Sequence, residues 1–442
     1  MPKLSDFVTP ILLSLVTLAL IGTELRSHPP DDPTRTHIAV WVGWSSFEFD
    51  AFKGVVDDFN KSQNKIFVDL LSVSGNSQKT LISTAAGIPP EISLIGGSEL
   101  PQFADAGAIE QLDEICKENG LTDEKYVPGD WGVVHYQDHV YALPATPATV
   151  ALHYNKDILK AAGYDHPPET IEEMDEMVNK ITKVKNGKVV MAGFLPGEPG
   201  WWNWCWGPYF GGQLWDGDSK ITMDSPENLK AFQWVASFSK RFGPGQIQAY
   251  RSGFGAFESP QNAFMSGKVA MEVQGVWMNN FIQAANPKLN WGAVPFPYPK
   301  DHPELKGHTI IDQDIFVLLK GCKHRAEAIQ FLVYCQQQGP MEKLCWGQKK
   351  SSPLRKKSDW FWKTHANPYI KLFDDMAYSP NAFTTPKTAI WPQYQAEITN
   401  AMDEVTLLQM TPEEAIKYVQ ARMQPKLDLY RNRLEARRKA GL

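Results

Sequence analysis

The stretch Asn262-Ala-Phe-Met-Ser-Gly-Lys-Val-Ala-Met-Glu-Val-Gln-Gly-Val-Trp277 constrains the fold more than any other, because it forces a helix, a reversed turn and a buried strand into one corner. Phe264 and Met265 are the apolar side of one or two helical turns. Gly267 stands where the chain must go left-handed, and Val269 to Val273 form a strand-like run. Gly275 ends that run just before Trp277. The opening of the chain has a matching grammar. His37 to Gly43 alternates as a strand, Phe52, Val55, Val56 and Phe59 recur at helical spacing, and Lys65 to Val73 is again a strand, which makes a β-α-β unit. Between its first strand and its helix lies Gly43-Trp44-Ser45-Ser46-Phe47-Glu48, at the carboxyl end of the strand, where open α/β sheets bind ligands. Trp44, Ser45 and Glu48 are therefore candidate site residues.

A second unit ends in Ile92-Ser-Leu-Ile-Gly-Gly97-Ser98, which makes Gly97 and Ser98 further candidates. No Lys-Ser/Thr follows the glycines, so a nucleotide-phosphate loop is excluded. His135 to Leu143 reads as a hairpin turning at Gln137-Asp138. Thr170 and Glu173 form a capping box that opens a helix to about Lys185. Downstream, Trp201, Trp202, Trp204, Trp206 and Tyr209 put five aromatics within nine residues, more than a helix hides on one face. Asn290 to Pro295 and Thr309 to Leu319 read as strands, and Arg325 to Gln336 as a helix.

The pattern Ala-Phe, Gly-Lys, Ala-Met, Gly and Trp within residues 263–277 resembles the signature of extracellular solute-binding proteins of the sugar-binding kind, the capture subunits of bacterial ABC importers, maltodextrin-binding-like. The stretch from Tyr141 to Asp157, with Tyr154-Asn155-Lys156, is similar to that family's first crossing between lobes. The resemblance implies a type II, two-lobed periplasmic-binding-protein-like α/β fold with the ligand between lobes joined by hinge crossings. It also implies a permease partner, and binding without chemistry. The expected division is 36–147 with 276–337 for the first lobe and 148–275 with 338–442 for the second. A third crossing is expected near Gln338-Gly339-Pro340.

At 442 residues, with 43% apolar and 21% charged, the chain has ample core for two lobes. Its net charge of −6, without long basic blocks, argues against nucleic acid. Lys3 followed by the apolar run Phe7 to Ile21 has the layout of a secretory signal, with an uncleaved anchor as second choice, so residues 1–35 are read as signal or anchor and linker and the protein as periplasmic or extracellular. The run is not followed by a lipid-accepting Cys. Five cysteines lack metal-ligand spacing, and buried single thiols are favoured over a bridge in the later trio. Neither a metal nor a cofactor is expected, and the protein is read as a monomer.

Fifteen tryptophans exceed what packing needs. Sugar rings offer faces of C–H bonds edged by hydroxyls, which aromatic planes and fixed polar groups match. Trp44, Trp201, Trp202, Trp204, Tyr209, Trp277, Trp346 and Trp391 form the pool of platforms, with the Trp201–Tyr209 patch expected to supply the second lobe's principal one. Asp312 and Gln313, polar in an otherwise apolar strand, are expected at the ligand's edge; Thr146 and Glu258 are weaker candidates. The competing readings are a glycoside-active enzyme, whose paired carboxylates stand ~5–9 Å apart, and a binder of glycerol phosphate derivatives or another small solute. The absence of a serine elbow and of a His-Glu-x-x-His motif weighs against other hydrolases.

Overall fold

The computed structural model describes residues 34–256 and 259–439. The expected export segment up to residue 33, and Glu258, lie outside the described residues.

The opening β-α-β unit folds locally as its periodicity dictates. Strands Thr36–Val42 and Ile66–Ser72 pair in parallel, and helix Ser46–Ser62 covers them with Phe52, Val55, Val56 and Phe59. The first sheet runs in the order Ile66–Ser72, Thr36–Val42, Ile92–Gly96, Gln313–Leu318, Leu143–Pro147. Its late strand, Gln313–Leu318, runs antiparallel to both neighbours. The second sheet is antiparallel, with Val150–Asn155 between Met271–Gly275 and Trp291–Val294.

Strand alternation makes this second sheet a layer between two cores. Val150, Leu152, Met271 and Val273 face one of them, with the helices Ile171–Ile181, Pro226–Phe242 and Trp391–Thr406. Ala151, Trp291 and Ala293 face the other, against Phe264, Ile282 and Phe373. Strand 291–294, expected in the first lobe, therefore belongs to the second sheet. The reason is pairing: Trp291 to Val294 pair with Asn155 to Leu152 along the free edge of Val150–Asn155.

The third crossing also falls elsewhere. Gln338-Gly339-Pro340 begins helix Gln338–Gly347, which packs along Ser46–Ser62 so closely that a Cβ on Gly347 would stand 2.7 Å from that of Ala51. Phe361 and Phe373 stay in the first core, so residues 338–377 lie with the first lobe rather than the second. The chain crosses near 378–383, where Ala382–Phe383 pairs in parallel with Thr309–Ile310. The residues read as one strand from 309 to 319 are thus two short strands in different sheets.

Local signals are realised closely. Gly267 has φ 70°, and Gln137 and Asp138 have φ 48° and 65° at the tip of their hairpin. Thr170 Oγ1 accepts the Glu173 amide at 3.2 Å, although the Glu173 carboxylate caps Glu169 instead of Thr170. Cys116, Cys205, Cys335 and Cys345 are buried single thiols, and Cys322 is a half-buried one.

Candidate functional site: a cleft between the lobes

A cleft of about 350 Å³ opens where both sheets present their strand ends. It is walled by Trp44, Glu48, Gly96, Phe281, Asp312, Gln313, Asp314 and Lys350 on one side and by Trp201 and Trp277 on the other, with Ala148 of the first crossing between them. Its volume is in the range of small-ligand sites, ~300–1,000 Å³.

The aromatic wall is built from the signature corner. A Cβ on Gly275 would come within 2.1–2.4 Å of the Trp277 ring, so the glycine leaves the space in which that indole lies. Trp202 supports Trp277 from beneath, stacked at 6.4 Å and 28°, and its indole N–H donates to the Val273 carbonyl at 3.0 Å. Trp201 stands in front, 38% exposed and 6.3 Å from Trp277. Two large rings thus meet in the cleft at 49°, a shape that offers faces to a non-planar apolar ligand surface.

The polar wall is centred on one cation. Lys350 follows Lys349, whose φ of 54° turns the chain after its helix, and its side chain is only 3% exposed. Its ammonium lies 2.9 Å from Glu48 and 3.3 Å from Asp314, donates to Thr146 Oγ1 at 3.3 Å, and sits 5.8 Å from the centre of the Trp44 ring. Asp314 also accepts from the Trp44 indole at 3.2 Å and from Thr146 at 3.1 Å. Burial works to lower the Lys350 pKa, but the two carboxylates more than offset it and hold the ammonium above its ordinary range. Asp312, just before the strand, is pushed up to about 7 by burial, reinforced by the neighbouring Asp314 and Glu99.

A narrow throat continues the cleft, lined by Gly97, Ser98 and Asp312 of one lobe and Thr384 to Lys387 of the other. Gly97 permits this approach: a Cβ there would meet Val133 at 2.3 Å and Asp312 at 3.2 Å.

The structure brings together Trp44, Glu48, Trp201, Trp277, Asp312 and Gln313, although the Gln313 amide turns inward to the Asp130 carbonyl at 2.6 Å. Gly97 and Ser98 reach the throat, and Thr146 lies behind the wall as a support for Asp314. Ser45 is exposed at a helix start and does not line the cleft. Trp202, Trp204, Tyr209 and Trp391 are corrected: they are buried in the second core, where Trp204 packs on Trp391 at 5.4 Å and Tyr209 on Phe296 at 4.3 Å. Their patch does not wind as one helix; only Trp206–Tyr209 is helical, so its rings turn inward on several sides. Trp346 is also corrected. It is half-exposed on the outer face, against Trp360 and bonded to the Thr364 carbonyl. Sequence reasoning missed Gly96, Ala148, Phe281, Asp314 and Lys350. No local pattern marks a lysine drawn in by carboxylates from remote strands and helices.

Two α/β lobes around an aromatic and polar cleft, joined by several crossings, define a binding protein of the two-lobed periplasmic type. The chain belongs to the family of bacterial extracellular solute-binding proteins, whose family pattern it matches over residues 45–341. A maltotriose-binding protein of Pyrococcus abyssi is 23% identical over 269 residues, 59% of this chain and 53% of that relative, so the match spans about half of the relative's length. An sn-glycerol-3-phosphate-binding periplasmic protein of Agrobacterium fabrum is 26% identical, covering 60% of this chain and 62% of the relative. Among solved structures, CpMnBP1 with mannotriose bound is similar at TM-score 0.76 and 28% identity, covering 87% of this chain and 99% of that one. Both named relatives are called binding proteins, and the similar solved structure holds a bound sugar.

Proposed function

We propose that this protein captures a neutral carbohydrate, a mono- or oligosaccharide, between its lobes and delivers it to the permease of an ABC importer. The observation that carries the reading is the Trp201–Trp277 pair facing a wall of fixed polar groups across one cleft. Sugar-binding relatives support it. Trp201, Trp277 and Trp44 would take sugar faces, and Asp312, Asp314 and Glu48 would accept from hydroxyls. Hinge motion about the crossings would separate the facing aromatic and polar walls to admit the ligand and close them on it, as in periplasmic binding proteins as a class. Export through the N-terminal apolar run and action as a monomer belong to the same reading.

Glycerol phosphate fits less well. Among the described residues, Lys350 is the only cation lining the cleft itself, where Glu48 and Asp314 already take up its charge, and Lys387 in the throat is engaged by the Gly132 and His135 carbonyls. An anion in the cleft would therefore meet the net negative charge of Glu48, Asp312 and Asp314 around a single lysine.

The test is a thermal-shift screen with mannotriose, maltotriose and glycerol 3-phosphate, followed by product analysis. A ligand at a hundred times its dissociation constant stabilises the folded form by ~2.7 kcal/mol. A shift with glycerol 3-phosphate and none with either sugar would overturn the neutral-carbohydrate reading, and cleavage products would overturn binding without chemistry.

A further inference from the structure

We infer that the last helix, Pro412–Lys439, serves as a clasp that holds the two lobes together, and so sets ligand affinity through residues that do not line the aromatic cleft. The helix starts in the second lobe, where Ala415, Ile416, Val419, Met423 and Leu427 are buried in its core. Beyond Leu427 the helix reaches the first lobe while Tyr430 still packs against the second core. The Tyr430 hydroxyl there bonds to the carboxylate of Asp105 and to the hydroxyl of Tyr136, which itself lies 3.0 Å from Asp105. About two turns further on, Arg437 donates to the Asp105 main-chain carbonyl at 2.6 Å.

A second tie lies beside the first. Lys387, just before the helix Trp391–Thr406 of the second lobe, donates to the main-chain carbonyls of Gly132 and His135 in the first lobe. Lys387, Tyr136 and Tyr430 border one cavity, about 400 Å³, on the lobe boundary, so both ties close the same seam. Tyr136 is packed in the first core and Tyr430 against the second, which means that each hydroxyl is carried by a different body. Separating the lobes must break these bonds, whereas rotation within either lobe leaves them intact.

The consequence is energetic. When a ligand binds only the closed form, its apparent dissociation constant is the intrinsic one divided by the closed fraction. Tyr430 and Lys387 raise that fraction, and Tyr430 does so without lining the cleft or its throat. This goes beyond the carbohydrate reading and does not depend on it, because the clasp acts on the protein with no sugar present.

The experiment is small-angle X-ray scattering of the full chain without added sugar, comparing wild type with Tyr430→Phe, Lys387→Met and the double variant. The expected result is a larger radius of gyration in the double variant with an unchanged unfolding midpoint for the lobe cores. With mannotriose as the probe, the double variant should bind about 10-fold more weakly, the scale expected for two lost hydrogen-bonding groups. Unchanged scattering in the double variant overturns the clasp. So does expansion accompanied by general loss of protection across both cores in hydrogen exchange, which would make these residues ordinary supports of the fold. If wild type binds neither mannotriose nor maltotriose, the carbohydrate reading falls while scattering still decides the clasp.

Discussion

Replacing Lys350 with Met is the most informative single change in the cleft. Met keeps most of the side-chain volume but removes the charge that Glu48 and Asp314 share at 2.9 and 3.3 Å. Breaking a buried ion pair by deleting one partner costs ~3–5 kcal/mol, mostly because the remaining charge is left uncompensated. Here two carboxylates are stranded, but their side chains are 23% and 28% exposed, so water relieves part of the penalty. The expected loss is therefore about 3 kcal/mol, the low end of that range. The assay is urea unfolding followed by tryptophan fluorescence, with the cleft reporter Trp44 expected to shift as its ring loses the ammonium. The triple variant Glu48→Gln, Asp314→Asn, Lys350→Met should recover most of the loss, since no charge then remains unpaired. A loss below about 1 kcal/mol in Lys350→Met, the size of an exposed pair, would refute the buried-hub argument, and so would a triple variant no more stable than the single one.

Three further outcomes follow from the geometry. Trp204→Ala should cost ~3–5 kcal/mol of stability, as for a buried aromatic, whereas Trp201→Ala should leave stability nearly intact and weaken sugar binding; calorimetry showing the reverse would reject the placement of the cleft. Gly275→Ala should displace the Trp277 ring, read as lost sugar affinity with a blue or red shift in fluorescence, and normal affinity would show that the ring does not form the platform. Glu272, opposite His153 in the second sheet, is pushed up to about 8 by burial. The unfolded chain releases this proton near 4.5 while the folded one keeps it, so stability should fall as pH rises from about 4.5 to about 8, by a few kcal/mol. Glu272→Gln should flatten that slope, and an unchanged pH profile of unfolding would refute the assignment. His153, lowered to about 4 by burial, works in the other direction, with stability lost as pH falls from 6.5 toward 4.

The sequence by itself determined what depends on neighbours along the chain. The helix of the first β-α-β unit, the left-handed Gly267, the Gln137-Asp138 turn and the Thr170 cap follow from periodicity, backbone freedom and side-chain reach within a few residues. The corner ending at Gly275 and Trp277 was legible for the same reason, and with it the family and the two-lobed class. Tertiary structure alone decided which aromatics face the cleft. Trp201 and Trp202 are adjacent and chemically identical, yet one is 38% exposed and the other 8%, because Trp202 finds the Val273 carbonyl beneath the sheet. Strand 291–294 reads the same whichever sheet it joins; only the free edge beside Val150–Asn155 settles its place. Lys350 shows the limit most plainly. Its partners Glu48 and Asp314 lie 302 and 36 positions away in sequence, and an interaction that exists only when remote segments meet leaves no mark on any one of them.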